Sequence, residues 1–560
     1  MSEAGHGSVY VAAPHDNPFD SLLALYLVAK IPGRGILIKQ AGRVDLNPDT
    51  GRIVTTFDNL PQIPFTSFDL HFNEGDRAPL VMPPSCGTYE ITARFTPWSA
   101  ADPFNPQPDE VVTRTSSFSV DHGPRGAPCL SGTPPFKPGF TAGTPNNAAG
   151  KYSSLNVRLT REDGEQEFRD FSLKLPKGLV GKLAGVPFCS EAAIAAARSR
   201  TGRNGGQEEL DSSSCPAASE IGRTLVGAGV GRTLTYAPGK LYLAGPYKGA
   251  KLSIVAITTA NVGPFDLGNV VIRQGLKVDP NTAEVSTDGS AGDPIPHILQ
   301  GIVVHARDIR IYVDRQKFIL NPTSCERMTV AASVVGSGLN FGSSADDQSV
   351  DVAAPFQAAD CTRLGFKPKL KLTLSGGTRR SDTPRLRAVL RTRKGDANIG
   401  RAQVTLPRSE FLEQAHIRTV CTRVQFKAGR GNGAKCPKGS IYGRAKAISP
   451  LLDEPLKGPV FLRSSDNELP DLVAALHSSR VDINLVGRID SLNGRIRNTF
   501  EGVPDAPVTK FVLEMQGGRK GLIVNSTDIC RRKHRAIADF KGQNGRHRLL
   551  RPLVKTSCKR

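Results

Sequence analysis

The sequence predicts an all-β protein built of tandem β-sandwich-like modules with short helical inserts. Three observations support this: high Gly and Pro content, short stretches of strand composition between turns, and a long internal repeat. The chain has 56 Gly and 41 Pro in 560 residues, which suits many turns and short extended segments. Hydrophobic residues make up 39%, enough for packed cores. The length corresponds to roughly three or four domains.

Strand composition recurs in four stretches, each bounded by turn residues. In ARDIRIYVD, Ile309, Ile311 and Val313 alternate with polar residues, the period-two pattern of a half-buried strand. The four stretches are KLYLAG (240–245), NVVIRQGLKVD (269–279), GIVVHARDIRIYVD (301–314) and KFVLEMQ (510–516).

Helical composition is confined to two short stretches, SEAAIAAARS (190–199) and RSEFLEQAH (408–416). Near the end of the chain, AIADFKGQNGRHRLLRP predicts a hairpin around Asn544-Gly545, the pair favoured in type I′ turns.

The internal repeat relates residues 130–361 to residues 362–558. Phe136-Lys137-Pro138 matches Phe366-Lys367-Pro368, and Leu175-Pro176 matches Leu406-Pro407, at an offset close to 231. Further on, SEIG (219–222) matches SIYG (440–443), GKLYL matches GPVFL, and LNPTSC (320–325) matches VNSTDIC (524–530). Because many anchors keep their order and spacing, we interpret these segments as two copies of one module.

The first 129 residues match only the second half of that module. SVYVAAP (8–14) resembles KLYLAGP (240–246), and AGRVDLNPDTGRIVTTF (41–57) resembles VGRIDSLNGRIRNTF (486–500). We therefore predict a partial copy at 1–129, a full copy at 130–361 and a full, strongly basic copy at 362–560. Because the chain starts inside a module, we expect the natural protein to extend upstream of residue 1.

The ten cysteines follow the repeat, two in the partial copy and four in each full copy. Local pairing within copies predicts disulfides Cys86 with Cys129, Cys189 with Cys215, Cys325 with Cys361, Cys421 with Cys436, and Cys530 with Cys558. Spacing alone does not prove connectivity. Such bridges stabilise by about 3–4 kcal/mol each in the chain-entropy model. Zinc is the rival interpretation, but the closely spaced C-x₂₋₄-C pairs typical of zinc sites are absent from the sequence.

Disulfides predict an oxidising, extracellular or cell-surface location. The first residues, MSEAGHGSVY, have neither the basic start nor the apolar core of a secretory signal, so we expect the signal to lie upstream. The sequence contains no run of 18 apolar residues, so no transmembrane helix is expected.

The net charge of +21 is concentrated in the last third of the chain. Residues 361–560 hold 41 Lys and Arg against 16 Asp and Glu, whereas residues 1–150 carry a charge of −4 and residues 151–360 are neutral. An anionic cell-wall polymer, a surface polysaccharide or phospholipid headgroups would suit this charge. Nucleic acid is not the expected partner, because aromatic residues are few and the location is extracellular. A merely solvated basic surface remains an equal alternative.

Three further patterns favour structural interpretations. DLNPDTG (45–51) begins like a calcium loop, but its glycine falls one place late and Thr56 stands where a glutamate is needed, so a turn is favoured. Asn525-Ser526-Thr527 is a glycosylation sequon, but an asparagine turn is favoured. The single Trp98 could stack on a sugar, yet packing is more common.

FDLGNVVIRQGLKVDPNTAEV, followed by DIRIYVDRQKFILNPTSC, resembles a family of long, secreted repeat proteins of high-GC actinobacteria. CPAASEIG, GKLYLAGPYKGA and the C-terminal QNG hairpin with its closing cysteine fit the same family. The resemblance spans nearly the whole chain and implies secretion and modular β structure. It carries no assigned activity, so it implies no catalytic residue.

The sequence therefore favours an extracellular, non-enzymatic repeat protein, associated with the cell wall or adhesive, whose basic third module binds an anionic surface. No nucleophile elbow, H-E-x-x-H or P-loop is present in the sequence, so no catalytic residue, metal ligand or cofactor is predicted. The alternative is a secreted hydrolase or carbohydrate-active enzyme whose site forms between modules.

Overall fold

The computed structural model describes residues 5–75, 78–83, 85–123, 126–129, 132–289, 292–338, 344–428 and 431–558. The predicted module limits at residues 1, 130 and 560 lie outside the described residues. The predicted all-β class is confirmed, because large sheets curled into half-barrels dominate the structure. Among the described residues, no helix has both the length and the apolar character needed to cross a membrane.

The N-terminal region (residues 5–129) forms two separate small sheets. The first has the order β1-β2-β3-β4, and the second is a hairpin of β5 and β6. Its strands are β1 His6–Val11, β2 Ala24–Ile31, β3 Ile36–Leu46, β4 Ile53–Thr56, β5 Gly87–Phe95 and β6 Val112–Val120.

The middle region (residues 132–361) forms an eleven-stranded sheet and smaller sheets. Its strands are β7 Gly139–Gly143, β8 Tyr152–Ser153, β9 Leu155–Thr160, β10 Phe168–Lys174, β11 Val180–Gly181, β12 Glu220–Ala228, β13 Thr235–Ala244, β14 Leu252–Val262, β15 Phe265–Val278, β16 Val285–Asp288, β17 Ile298–Leu299, β18 Ile302–Val303, β19 Ala306–Val313, β20 Ile319–Leu320, β21 Met328–Gly336 and β22 Gln348–Phe356. Its helices are α1 Glu191–Ser199 and α2 Gly205–Asp211.

The C-terminal region (residues 362–558) forms a twelve-stranded sheet and a small one. Its strands are β23 Lys369–Ser375, β24 Arg385–Arg391, β25 Ile399–Thr405, β26 Glu410–Leu412, β27 Ile441–Ile448, β28 Leu456–Arg463, β29 Asp471–His477, β30 Asp482–Leu492, β31 Arg495–Phe500, β32 Lys510–Met515, β33 Ile523–Asn525, β34 Ile537–Gly542, β35 His547–Leu550 and β36 Val554–Thr556. Its α-helix is α3 Arg423–Lys427.

Short 3₁₀ turns punctuate all three regions. They span Pro32–Arg34, Pro108–Glu110, Ala217–Ser219, Cys361–Arg363, Gln414–His416, Lys438–Ser440 and Gly518–Lys520.

The two large sheets share one strand order. The middle sheet runs β22-β21-β10-β16-β15-β14-β13-β12-β19-β9-β7, and the C-terminal sheet runs β35-β34-β25-β31-β30-β29-β28-β27-β32-β24-β23, with β36 added at the edge. Each strand of the middle sheet therefore has an equivalent strand in the C-terminal sheet, and the pairing register assigns equivalent residues within them. Arg223, for example, pairs with Tyr312, and its equivalent Arg444 pairs with Glu514.

The inner faces of both sheets carry the apolar cores, and the helical inserts pack on the outer faces. Helix α1 places Ile194 and Ala197 against Tyr242 and Val255. Its N-terminus is capped by Ser190, whose hydroxyl accepts a hydrogen bond from the Ala193 amide. The predicted helix at 190–199 is therefore present, beginning one residue later.

The helix predicted at 408–416 is wrong. Residues 410–412 form β26, which pairs antiparallel with β33, and only a 3₁₀ turn follows. Strand pairing across more than one hundred residues overrides the local helical composition here. The short helix of this region is α3 instead, which begins after Cys421 and has Thr422 as its N-cap.

The hairpin at Asn544-Gly545 is present as β34 and β35, but its turn is not type I′. Only Gly545 has a positive φ, and the Gly542 amide donates to the Arg546 carbonyl. This closure is that of a three-residue loop with a left-handed glycine. The Asn544 amide group donates instead to the carbonyls of Cys361 and Leu364.

The middle and C-terminal regions meet at a buried carboxylate. Asp505 accepts hydrogen bonds from the amides of Thr323 and Ser324 (2.7 and 2.9 Å) and from the Thr323 hydroxyl (2.6 Å). The Asn398 side chain donates to it as well, at 2.8 Å. Gly178 has φ +85°, and a Cβ there would lie 2.9 Å from that of Asp505. The LNPTSC turn of one region is thus the binding site for a carboxylate of the next.

Among the described residues of the N-terminal region, no strand corresponds to β10 or β25 of the large sheets. In the large sheets, β10 lies between β16 and β21, and β25 lies between β31 and β34. Among the described residues, β4 and β5 have no such shared neighbour. Large apolar side chains are exposed accordingly, including Phe65 (71%), Met82 (69%) and Phe104 (68%).

Candidate functional site

The ten cysteines form five disulfides within the described residues, each local to one region. The pairs are Cys86–Cys129, Cys189–Cys215, Cys325–Cys361, Cys421–Cys436 and Cys530–Cys558. Two of the disulfides, Cys189–Cys215 and Cys421–Cys436, enclose the helical inserts. The first cysteine of each is bound to its sheet, because the Cys189 and Cys421 amides donate to the carbonyls of Leu243 and Leu462, which occupy equivalent strand positions. Five disulfides suggest an extracellular or cell-surface protein.

Residues singled out by the sequence for other sites have structural roles. In the DLNPDTG turn, the Asn47 side chain accepts from the amides of Asp49 and Thr50, so the predicted turn is confirmed. Asn525 is 1% exposed and its side chain donates to the Arg379 carbonyl. Trp98 is 40% exposed, packs edge-on against Phe104 and donates to the Leu60 carbonyl.

Several cations form a basic face on the outer side of the C-terminal sheet. We define it by Arg387 on β24, Arg444 and Lys446 on β27, Lys457 on β28 and Lys510 on β32. These residues line an open cleft of about 590 Å³, together with Glu514.

Strand geometry explains why these cations share one surface. Arg444 and Lys446 are two residues apart on β27, so both point outward while Ala445 and Ala447 face the core. In the strand register, Glu514 lies opposite Arg387 on one neighbouring strand and opposite Arg444 on the other. Lys446 lies opposite Lys457. Positions opposite each other on neighbouring strands lie about 5 Å apart. The sheet therefore concentrates positive charge that the sequence distributes over more than one hundred residues.

The positive charge of this face is only partly compensated. Arg387 donates to Glu514 at 2.7 Å, with both side chains about half exposed (49% and 48%). Among the described residues, no ion pair or side-chain hydrogen bond involves Arg444, Lys446, Lys457 or Lys510 at the distances that define such contacts. Exposed and unpaired ammonium and guanidinium groups suit phosphate or carboxylate groups of a repeating polymer.

On the equivalent face of the middle region, Arg158, Arg223 and Arg310 are engaged in internal ion pairs. Arg158 and Arg310 both donate to the buried Asp308, as does the Tyr236 hydroxyl (3.0 Å). Burial alone would raise the pKa of Asp308, but these hydrogen bonds outweigh it and hold that pKa well below its usual range. Arg223, the equivalent of Arg444, pairs with Asp314 at 2.8 Å.

The register of the two sheets shows which substitutions make the difference. Asp308 and Lys510 occupy equivalent positions, because their strands pair identically with β12 and β27. In the same way, Leu225 is equivalent to Lys446. The sequence located the excess of positive charge in the last third of the chain but did not identify the five cations of the face. Cations at alternate positions along single strands, as in Arg444 and Lys446, are the signal that could have found them.

One carboxyl group outside this face has an unusual environment. Glu410 is 1% exposed, its Oε2 accepts from the Ser409 hydroxyl at 2.8 Å, and its Oε1 has no partner among the described residues. Burial raises the pKa of Glu410 to about 7, and the hydrogen bond lowers it only in part. No group of three or more potential metal ligands occurs among the described residues.

Comparison with known proteins adds little. No protein-family model matches the chain, and no curated protein matches it. Among solved structures it is similar to one described as "Putative membrane anchored protein from Corynebacterium diphtheriae", at 9% identity and a TM-score of 0.15. That similarity covers 84% of this chain and 95% of the other. A TM-score this low supports no argument about fold or function.

Proposed function

We propose that this is a non-enzymatic protein of the cell surface, wall-associated or adhesive, whose C-terminal region binds an anionic polymer through the basic face. The observation that carries the proposal is the contrast between equivalent positions: Lys510 is partly exposed and has no ion-pair partner among the described residues, whereas Asp308 is held between two arginines. The five disulfides support the extracellular setting.

The polymer we infer is an anionic cell-wall polymer or surface polysaccharide. The cleft is open, and its cations lie along several strands, which suits a repeating chain of negative groups better than one small anion. Binding of this kind releases counterions, so its affinity falls steeply as salt rises.

The test is retention of the full chain on isolated cell walls across a salt gradient. In the variant Lys446→Leu/Lys510→Asp, each substitution introduces the residue of the equivalent middle-region position. We expect the wild type to be retained at low salt and released by salt. The variant should bind about ten-fold more weakly, because it loses two cations and gains one anion.

A matched control is Arg223→Ala, which removes a cation that is already paired, at the position equivalent to Arg444. Its retention should equal that of the wild type. Retention that ignores salt, or that the double variant leaves unchanged, would contradict the proposal.

The extracellular setting has an independent test. Mass spectrometry of non-reduced peptides from the secreted, native protein should recover the five local cysteine pairs. Free thiols at these ten positions would remove the argument for an oxidising compartment.

A further inference from the structure

The inner face of the middle sheet lines a partly open apolar cavity of about 140 Å³. Its walls come from β12, β13, β14, β15 and β19, and segment 295–304 covers one side. Most of the lining residues are apolar, among them Val226, Ala237, Ile254, Ala256, Ile272 and Ile311. None of the residues that line the cavity is charged.

Three of the four polar side chains of the wall are bonded to protein atoms, and the fourth, Thr235, lies at the exposed end. The hydroxyls of Thr224 and Thr258 lie 3.1 Å apart and bond to each other. The Gln274 side chain donates to the Phe171 carbonyl at 2.9 Å. The cavity therefore offers little to hydrogen-bond with water, and an apolar occupant is the better match.

Three positions of the cavity wall carry larger side chains in the C-terminal region. Leu456 takes the position of Ala237, Leu476 that of Thr258, and Phe511 that of Ile309. Leu456 is 6% exposed and Leu476 is 1% exposed, and both belong to the main core of that region. Ala237, Ile254 and Ile272 in the middle region are only partly buried.

This difference between two copies of one architecture indicates a built cavity. Native cores are close-packed, and an empty apolar cavity destabilises the fold. The C-terminal region carries larger residues at three of these positions in the same sheet. The small side chains of Ala237 and Thr258 thus leave a cavity, although the same sheet architecture accepts leucine at both positions.

We propose that the cavity binds a single alkyl chain of a lipid-like molecule. An engineered apolar cavity of about 150 Å³ holds one benzene molecule, so 140 Å³ accommodates a short alkyl segment. At one end the lining includes Thr235 and Val262, which are exposed. A longer chain can leave the cavity there and place its polar end in water.

The experiment titrates the full chain with a series of straight-chain alkanols, from butanol to decanol, by isothermal calorimetry. We expect affinity to rise with chain length and then level off when the cavity is full, with a negative heat-capacity change. The variant Ala237→Leu/Thr258→Leu introduces the C-terminal residues and should weaken binding at least ten-fold. Leu225→Lys, on the outer face of β12, should bind like the wild type.

A thermal melt of each variant shows whether it is folded, and Ile309→Phe provides a second, single filling substitution. The enlarging variant Ile311→Ala should move the levelling-off to longer chains. Absence of binding by the wild type, or binding that both filling variants leave unchanged, would overturn the proposal. Tighter binding of benzene than of the best alkanol would overturn the assignment to an alkyl chain.

Discussion

The middle and C-terminal regions share a strand order and differ in what their two faces do. On the outer face of the middle sheet, Arg158 and Arg310 form ion pairs with Asp308. The equivalent C-terminal face is open, with unpaired lysines around one arginine–glutamate pair. On the inner faces the contrast is reversed, because the middle sheet lines a cavity and the C-terminal sheet is packed.

This comparison shows that the shared strand order tolerates different side chains on both faces of the sheet. Both sheets keep the same strand order and carry a disulfide-tethered insert at the same place, while side chains at equivalent positions change from Asp to Lys and from Ala to Leu. Interchanging residues between equivalent positions is therefore the natural way to test what each region does.

The largest effect is expected where the two regions join. Asp505→Ala leaves the amides of Thr323 and Ser324 and the Asn398 side chain without their acceptor. Since a buried unsatisfied donor costs about 1–3 kcal/mol, the free energy of unfolding should fall by about 4 kcal/mol. Urea denaturation measures this, and hydrogen exchange at Thr323 and Ser324 should accelerate.

Asp453→Ala is the control for that prediction. Asp453 also joins the two regions, by accepting from the Gly185 amide, but at an exposed position. It should cost well under 1 kcal/mol. Equal effects of the two substitutions would show that burial of Asp505 is unimportant.

The next effect concerns Glu410, which is buried at the start of β26. Its pKa is raised from 4.5 to about 7 by burial, so the folded state holds the proton more tightly than the unfolded state does. Its stabilising contribution is full below pH 4.5 and is lost as the pH rises through about 7.

Glu410→Gln removes this titration while keeping the shape of the side chain. Unfolding free energies should match the wild type near pH 4 and exceed it by about 3 kcal/mol at pH 8. Denaturation curves across this pH range check the prediction. Parallel pH profiles for the two proteins would show that Glu410 is not buried in its neutral form.

A smaller effect should follow from converting the middle face to the C-terminal pattern. Asp308→Lys leaves Arg158 and Arg310 without their carboxylate and should cost about 2 kcal/mol. It should also create a second basic face, so that more salt is needed to release the full chain from cell walls. Destabilisation without stronger retention would show that added positive charge on this face does not increase binding to cell walls.

The smallest effect is expected for Arg223→Ala, which removes an exposed pair with Asp314. Such pairs contribute about 0–1 kcal/mol, so the melting temperature should hardly change. A loss comparable to that of Asp308→Lys would mean that the outer face acts as one network.

Some features were predictable because they depend on residues close in sequence or on regular periodicity. The strands at 240–245 and 510–516, the helix after Cys189 and the hairpin at Asn544-Gly545 are examples. The helix predicted at 408–416 was wrong because the pairing partner of β26 lies more than one hundred residues away. The type I′ turn was wrong because Asn544 is used to bind the carbonyls of Cys361 and Leu364.

The sequence by itself determined the all-β class, because turn residues and short alternating runs favour strands whatever surrounds them. It also located the excess of positive charge in the last third of the chain. Only the tertiary structure decided which cations face one cleft, where Asp505 is buried and which copy keeps a cavity. These depend on register between distant strands, since a shift of one residue moves every side chain to the other face.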